Sequence, residues 1–178
     1  MNAHKPTQFE QLLHEIDDAV VEFEIVDREE RSSSGSRTQS GDGEPVIVDA
    51  NHAFRDIFSP DMKRVIGLPL NDLIVPATKQ EEAKQFDQRT SDGRSNVAFV
   101  ERTTTEGNRT FLYRGIPYDD DHGFAIYTDV TGELQQQDEL TEIIALAEEL
   151  RSNPAETDTV DVANKIKAKA ETLTQLID

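Results

Sequence analysis

One stretch, EPVIVDANHAFRDIF from Glu44 to Phe58, constrains the fold more than any other. Val46-Ile47-Val48 is a β-branched run, and Asp49-Ala50-Asn51 follows with side chains suited to opening a helix. Ala53, Phe54, Ile57 and Phe58 then recur at helical spacing, so the apolar period changes from strand to helix almost at once. The local chemistry predicts a strand-to-helix corner. Its meaning depends on the elements either side of it.

Upstream, Thr7-Gln8-Phe9-Glu10 reads as a capping box that launches a helix with an apolar stripe of Phe9, Leu12, Leu13, Ile16, Ala19 and Val20. From Val21 the pattern alternates, Val21, Phe23 and Ile25 against Glu22 and Glu24, which predicts a half-buried strand ending near Asp27. Residues 28–43 carry no apolar side chain and cannot contribute to a core, so a polar insertion at the tip of a hairpin is expected there. Downstream of the corner, Ser59-Pro60, Gly67 and Pro69 cut the chain into short helical pieces, followed by a longer helix from Thr78 to Arg89 and a turn at Asp92-Gly93.

Three strands come next. The first begins at Val97 and runs to Thr105, Glu106-Gly107-Asn108 turns, the second runs from Thr110 to Tyr118, and Gly123 to Val130 makes the third after Asp119-Asp120-Asp121. Phe111, Tyr113 and Tyr127 can share one face, although alternation alone does not say which face is buried. Thr131 can cap a last helical region in which Leu140, Ile143, Ala147 and Leu150 form a heptad-like seam. Arg151-Ser152-Asn153-Pro154 stops it, and a second stripe of Val160, Ala163, Ile166, Ala170, Leu173 and Ile177 follows.

Composition excludes several kinds of chemistry. Asp and Glu number 36 against 18 Lys and Arg, a formal charge of −18 that disfavours direct contact with nucleic acid or anionic lipid. The acids are spread along the chain, which suggests a surface suited to a high-salt cytoplasm. The absence of cysteine rules out disulfides, thiol nucleophiles and thiolate metal sites. No apolar run approaches the ~18 residues of a membrane span, and MNAHKPTQ lacks a signal-type apolar region, so a soluble cytoplasmic protein is expected. His4, His14, His52 and His122 have no metal-ligand spacing. Acidic pairs such as Asp17-Asp18, Glu29-Glu30, Glu81-Glu82 and Asp119-Asp121 are expected by chance in so acidic a chain. The serines lack an elbow motif and the glycines a phosphate-cradle motif, so no catalytic residue and no metal site is assigned.

The summed order resembles that of the PAS sensory domain family. Asn51 followed by Ala53-Phe54, Gly67, Asp92-Gly93, Gly115-Ile116-Pro117 and Asp129-Val130-Thr131 fall where that family carries its short motifs, over about residues 9–131. The resemblance implies an α+β fold, a five-stranded antiparallel sheet with short helices on one face, plus C-terminal helices. It implies a sensor domain over 1–131 with the insertion at 28–43, a signalling helix over 132–153 and an amphipathic helix over 154–178. By the same resemblance, an apolar ligand pocket is drawn from Phe54, Phe58, Ile66, Leu70, Leu73, Phe86, Phe99, Leu112 and Ile126, while Asn51 acts as a structural cap. A covalent flavin adduct is excluded for want of cysteine, and haem is disfavoured because the longer helix has no histidine. The acidic composition makes the chain look like a PAS protein of a halophilic archaeon.

The function this implies is that of a non-catalytic sensory or regulatory module. It transmits a signal through protein–protein contacts, with or without a small molecule in its pocket, as a homodimer joined at Leu140, Ile143, Ala147 and Leu150 and with a signalling protein as partner. One alternative is a detached input domain of a histidine kinase, transducer or transcriptional activator. Others are a plain dimerisation domain or a small-ligand-binding enzyme, for which Arg102, Arg114, Tyr113 and His52 are the polar candidates.

Overall fold

The computed structural model describes residues 11, 13, 15–27, 43–59, 64–152 and 159–177. The expected capping box at Thr7, the residues His4 and His14, and the polar insertion up to residue 42 lie outside the described residues. The chain divides into two compact units, one ending at Asp129 and one beginning at Val130.

The first unit is built on a five-stranded antiparallel sheet. Its strands are Ala19–Asp27 (β1), Gly43–Ala50 (β2), Asn96–Thr104 (β3), Gly107–Pro117 (β4) and His122–Asp129 (β5), in the order β2-β1-β5-β4-β3. The last strand, β5, thus lies at the centre, between β1 and β4. β1 begins two residues before the alternation at Val21, because Ala19 pairs with Tyr127 at the head of that ladder. A register shift between Glu22 and Phe23 lets β1 and β2 absorb one extra residue.

The helices His52–Phe58 (α1), Leu70–Ile74 (α2) and Gln80–Ser91 (α3) follow, with a single 3₁₀ turn at Ala77–Lys79 before α3. The prolines explain the broken pattern: Pro69 stands at the start of α2 and Pro76 at the start of the 3₁₀ turn, where a missing N–H costs no helical bond. Gly67, at φ +83°, turns the chain so that residues 67–69 pair with the edge of β2. Gly67 N–H donates to the Ile47 carbonyl at 2.7 Å and Ile47 N–H to the Leu68 carbonyl at 3.0 Å, which closes part of an otherwise open edge.

Phe54, Phe58, Leu70, Ile74 and Ala83 bring the helices onto one sheet face, which presents Val21, Phe23, Ile47, Val100, Phe111, Tyr113, Ala125 and Tyr127. The interior is filled by packed rings. Phe58 sits 4.9 Å from Phe54, 5.4 Å from Phe111 and 5.7 Å from Tyr127, while Tyr113 lies 5.3 Å from Phe86 and 5.4 Å from Tyr127. These offset and edge contacts are the geometry that aromatic quadrupoles favour.

The second unit is a pair of helices, Thr131–Ser152 (α4) and Thr159–Ile177 (α5). Gln136 Nε2 donates to the Leu176 carbonyl and Lys169 Nζ bonds Glu139, so the two run antiparallel. Leu134, Ile143, Leu146 and Leu150 are half-buried along α4; Val162 is buried and Ile166, Leu173 and Leu176 half-buried on α5. This corrects the heptad reading of Leu140, Ile143, Ala147 and Leu150. Steps of three and four place Ile143 and Leu150 on the shared seam, but Leu140 and Ala147 belong to a neighbouring stripe and are exposed. On α5 the expected stripe shifts likewise, with Val160, Ala163 and Ala170 exposed.

Candidate functional site

The corner that dominated the sequence becomes a hydrogen-bonded knot at Asn51. Its backbone is extended while α1 begins at the next residue, and its Oδ1 accepts from Phe54 N–H at 2.9 Å as an N-cap. The same oxygen accepts from Val20 N–H at 3.0 Å. Its Nδ2 donates to the carbonyls of Leu13 at 3.1 Å and Asp18 at 2.9 Å, and the Asn51 N–H closes the ring by donating to the Val20 carbonyl. One buried amide therefore ties the segment before β1, β1 itself and the start of α1 together. A hollow of about 40 Å³, room for a water, lies beside it between Leu13, Val20, Glu22, Asp49, Ala50 and Phe124.

Between α3 and strands β3 to β5 lies a buried polar cluster. Arg102, only 2 % exposed, enters the interior from β3 because it shares the parity of Val100. Its Nη1 donates to its neighbour's carbonyl at Glu101 and stands 3.7 Å from Glu82 Oε1 on α3. Among the described residues Arg102 Nε, Glu82 Oε1 and Asn96 Oδ1 are buried without a hydrogen-bond partner. Asp87, one and a half turns along α3 from Glu82, accepts from Asn71 Nδ2 at 2.6 Å and so joins α3 to α2.

Burial raises the Asp87 carboxyl to about 7, against the opposing pull of the Asn71 hydrogen bond and the Arg102 charge and with a further upward push from Glu44. Burial also raises the Tyr127 phenol to about 12 and holds the Tyr113 phenol above its usual range. Next to this cluster Asn96 Nδ2 donates to the Phe86 carbonyl and to Thr90 Oγ, fastening the end of α3 to the start of β3. Two acidic side chains of α3 thus lie near one buried guanidinium, Glu82 about a third exposed and Asp87 half-buried, and the burial of Asp87 favours keeping a proton on it.

The pocket residues expected from the sequence do not converge. Phe54, Phe58 and Leu70 are in the core, with Leu73 and Phe86 packed against it. Ile66 is exposed in the turn before Gly67. Phe99, Leu112 and Ile126 lie on the opposite sheet face from the helices, so they line no internal space. The reason is parity: Phe99 pairs with Leu112, Val100 with Phe111 and Tyr113 with Tyr127, and the aromatic pairs are the ones that face the helices. Of the polar candidates, Arg102 and Tyr113 face inward, Arg114 is half-buried on the outer face, and His52 is exposed at 3.2 Å from Asp56.

That outer face is itself apolar. Val97 and Phe99 on β3 are 69 % and 64 % exposed, and Ile116 and Tyr118 are also exposed. Phe99 lies across from Leu112, and Ile116 from Phe124, so the patch crosses three strands. On a chain so rich in carboxylates a contiguous exposed apolar patch of this kind stands out. The grouping of Asp87, Glu82 and Asn71 on one side of the sheet and of Val97 and Ile116 on the other carried no local signal in the sequence, because it arises only from strand pairing and helix docking. Among the described residues no group of acids and histidines is arranged to hold a metal ion, and no helix is long and apolar enough to cross a membrane.

Residues 40–135 match the sequence model of the PAS fold family, and the chain belongs to that family. The fold agrees. The PAS domain of a Colwellia psychrerythraea protein superposes with a TM-score of 0.51 at 16 % identity, over 70 % of this chain and 95 % of that one. An RNA-binding light-oxygen-voltage receptor gives 0.53 at 13 % identity, over 85 % of this chain and 43 % of that one. The d2 variant of RsLOV gives 0.51 at 14 % identity, over 97 % and 96 %. At these identities the likeness is one of fold. No protein of curated function matches the sequence.

Proposed function

We propose that this chain is a non-catalytic sensory or regulatory PAS module that passes its signal on through protein–protein contacts. The observation that carries this reading is the apolar outer sheet face, where Val97 and Phe99 stand largely exposed on a strand whose other side holds Arg102. A change in the interior around Arg102 and Asp87 would be felt on β3 and hence at that face. The acidic composition suits a cytoplasm of high ionic strength, as in a halophilic archaeon, where self-repulsion is screened and apolar contacts are strengthened. The partners in this reading are a second copy of the chain and a signalling protein whose own sensory input this module supplies.

The test is reconstitution. A partner captured from the native host in molar salt is purified and its affinity measured for wild type, Val97→Glu and Phe99→Glu. The reading predicts a loss of affinity of roughly tenfold or more for each variant, as for a central apolar contact. Unchanged affinity in both, with unchanged circular dichroism, would remove the outer face from the account.

A second reading is favoured by the unpartnered buried polar atoms at Arg102, Glu82 and Asn96. A small polar molecule that offers an acceptor to Arg102 Nε and a donor to Glu82 Oε1 would satisfy that pair. Native mass spectrometry of protein from its own host tests it: an added mass held by wild type and lost in Arg102→Met supports a ligand, and apo mass in both removes it.

A further inference from the structure

The two edges of the sheet are finished differently. β2 holds Pro45, which has no N–H to offer, and residues 67–69 lie along it, so that the Ile47 N–H and carbonyl are both taken. β3, with the sequence NVAFVERTT, has neither proline nor lysine. Only its far end is closed. There Arg102 Nη1 donates to the Glu101 carbonyl at 2.8 Å, and Thr105 N–H donates to the Ile57 carbonyl at 3.0 Å.

The ladder fixes which way the main-chain groups of β3 point. Tyr118 N–H turns from the end of β4 to the His122 carbonyl, toward β5. By alternation the amides of Gly115, Tyr113 and Phe111 turn the other way, toward Asn96, Ala98 and Val100, which stand opposite them. The outward bond of Thr105 agrees with that phase. Val97 and Phe99 lie between the bonded residues, so their N–H and C=O groups point out of the open edge. Among the described residues none of these groups has a hydrogen-bond partner. The same two residues carry the most exposed apolar side chains of the described sheet.

An open edge that is also apolar is a template for another strand. We infer that β3 accepts an extended segment of a partner protein as an added strand beside Val97–Phe99, a segment of roughly five residues that alternates β-branched with basic side chains. Main-chain bonds to Val97 and Phe99 hold it, and its β-branched residues extend the apolar patch beyond Phe99. Basic residues suit a chain of net charge −18, whereas a second copy would bring the same charge to the edge. The inference rests on the reading of the outer face as a contact surface. It specifies how the partner engages that surface: by its main chain along the edge, in addition to side chains laid over the face.

Fluorescent peptides of about eight residues test it, by anisotropy against the full-length protein at moderate salt, with circular dichroism to show the fold retained. One peptide alternates valine and lysine, and another valine and glutamate. Two more carry N-methyl groups on alternate amides of the first, along one edge or along the other. The inference predicts that the valine–lysine peptide binds, and that methylation of one edge weakens it roughly tenfold or more while methylation of the other leaves it unchanged. Val97→Pro, which removes an outward N–H and leaves the ladder to β4 intact, should weaken binding as much; Val97→Thr, which keeps that N–H and the branched shape, should cost less. No binding of the valine–lysine peptide, equal effects of the two methylated edges, a valine–glutamate peptide that binds as well, or wild-type affinity in Val97→Pro would overturn it. Binding lost in Phe99→Glu but kept in Val97→Pro would overturn strand addition and leave the contact face standing. Unchanged affinity in Phe99→Glu as well would remove both.

Discussion

Replacing Asn51 with alanine should cost far more than an ordinary helix cap. The cap bond to Phe54 N–H accounts for about 0.5–2 kcal/mol by itself. Alanine also strands the Val20 N–H, which the Asn51 oxygen satisfies in a buried setting, at a cost of about 1–3 kcal/mol. The part-buried carbonyls of Leu13 and Asp18 lose their donor as well. Water reaching the hollow beside Asn51 can recover some of this, so the expected loss is about 2–4 kcal/mol. Asn51→Asp is the sharper variant, because a carboxylate keeps both accepted bonds but loses both donors and turns charge toward two carbonyl oxygens. Its folded-state carboxyl is thereby raised, so its deficit should be smallest at acid pH and grow as pH rises through the carboxylate range. Urea titration of the full chain at constant molar salt, monitored by far-ultraviolet circular dichroism, reads both effects as shifts in midpoint at constant slope. An Asn51→Ala protein within about 0.5 kcal/mol of wild type, the range of ordinary surface substitutions, would refute the reasoning.

Three further outcomes follow from the interior. Asp87 is raised from 3.8 to about 7, so the native state holds a proton that the unfolded chain releases; stability should fall between about pH 4 and pH 7, by at most ~4 kcal/mol, and Asp87→Asn should flatten that fall in urea midpoints taken at both ends. A Cβ at Gly115 would stand 2.3 Å from the Tyr113 hydroxyl oxygen and 2.9 Å from its ring carbon Cζ, so Gly115→Ala should destabilise by about 1–3 kcal/mol, and a double-mutant cycle with Tyr113→Phe should show coupling; additive losses would count against the contact. Phe111→Ala should cost about 3–5 kcal/mol and Phe99→Ala less than about 0.5, which calorimetry resolves easily; equal losses would mean the two sheet faces have been interchanged.

Much of the fold is legible in the residues themselves. The β-branched run ending at Asn51 predicts a strand followed at once by a helix, and the structure has β2 ending at Ala50 and α1 beginning at His52. The turn at Glu106-Gly107-Asn108 is where β3 gives way to β4, with Gly107 at φ +114°. Alternation could not assign the inner face, because both parities of β3 to β5 carry large apolar side chains. Phe99, Leu112 and Ile126 are as apolar as the residues that face the helices, while the inner set contains Arg102. Gly115 held the missing clue, since it shares the parity of Phe111 and Tyr113 and lies beneath the Tyr113 ring. Asp87 and Arg102 meet only after α3 docks on the sheet, and no spacing in a sequence encodes that. The heptad reading of α4 merged two adjacent stripes, Ile143 with Leu150 and Leu140 with Ala147, because steps of three and four fit either until the partner helix is placed.

The central claim is that β3 presents a contact face to another protein, and a photo-crosslinking residue at position 99 in the native host tests it most directly. The account predicts a discrete product between two chains from position 99, abolished by Val97→Glu and absent when the same group is placed at position 120 in the exposed Asp119-Asp121 turn. Crosslinks from position 99 confined to the same chain, or a pattern shared with position 120, would contradict it.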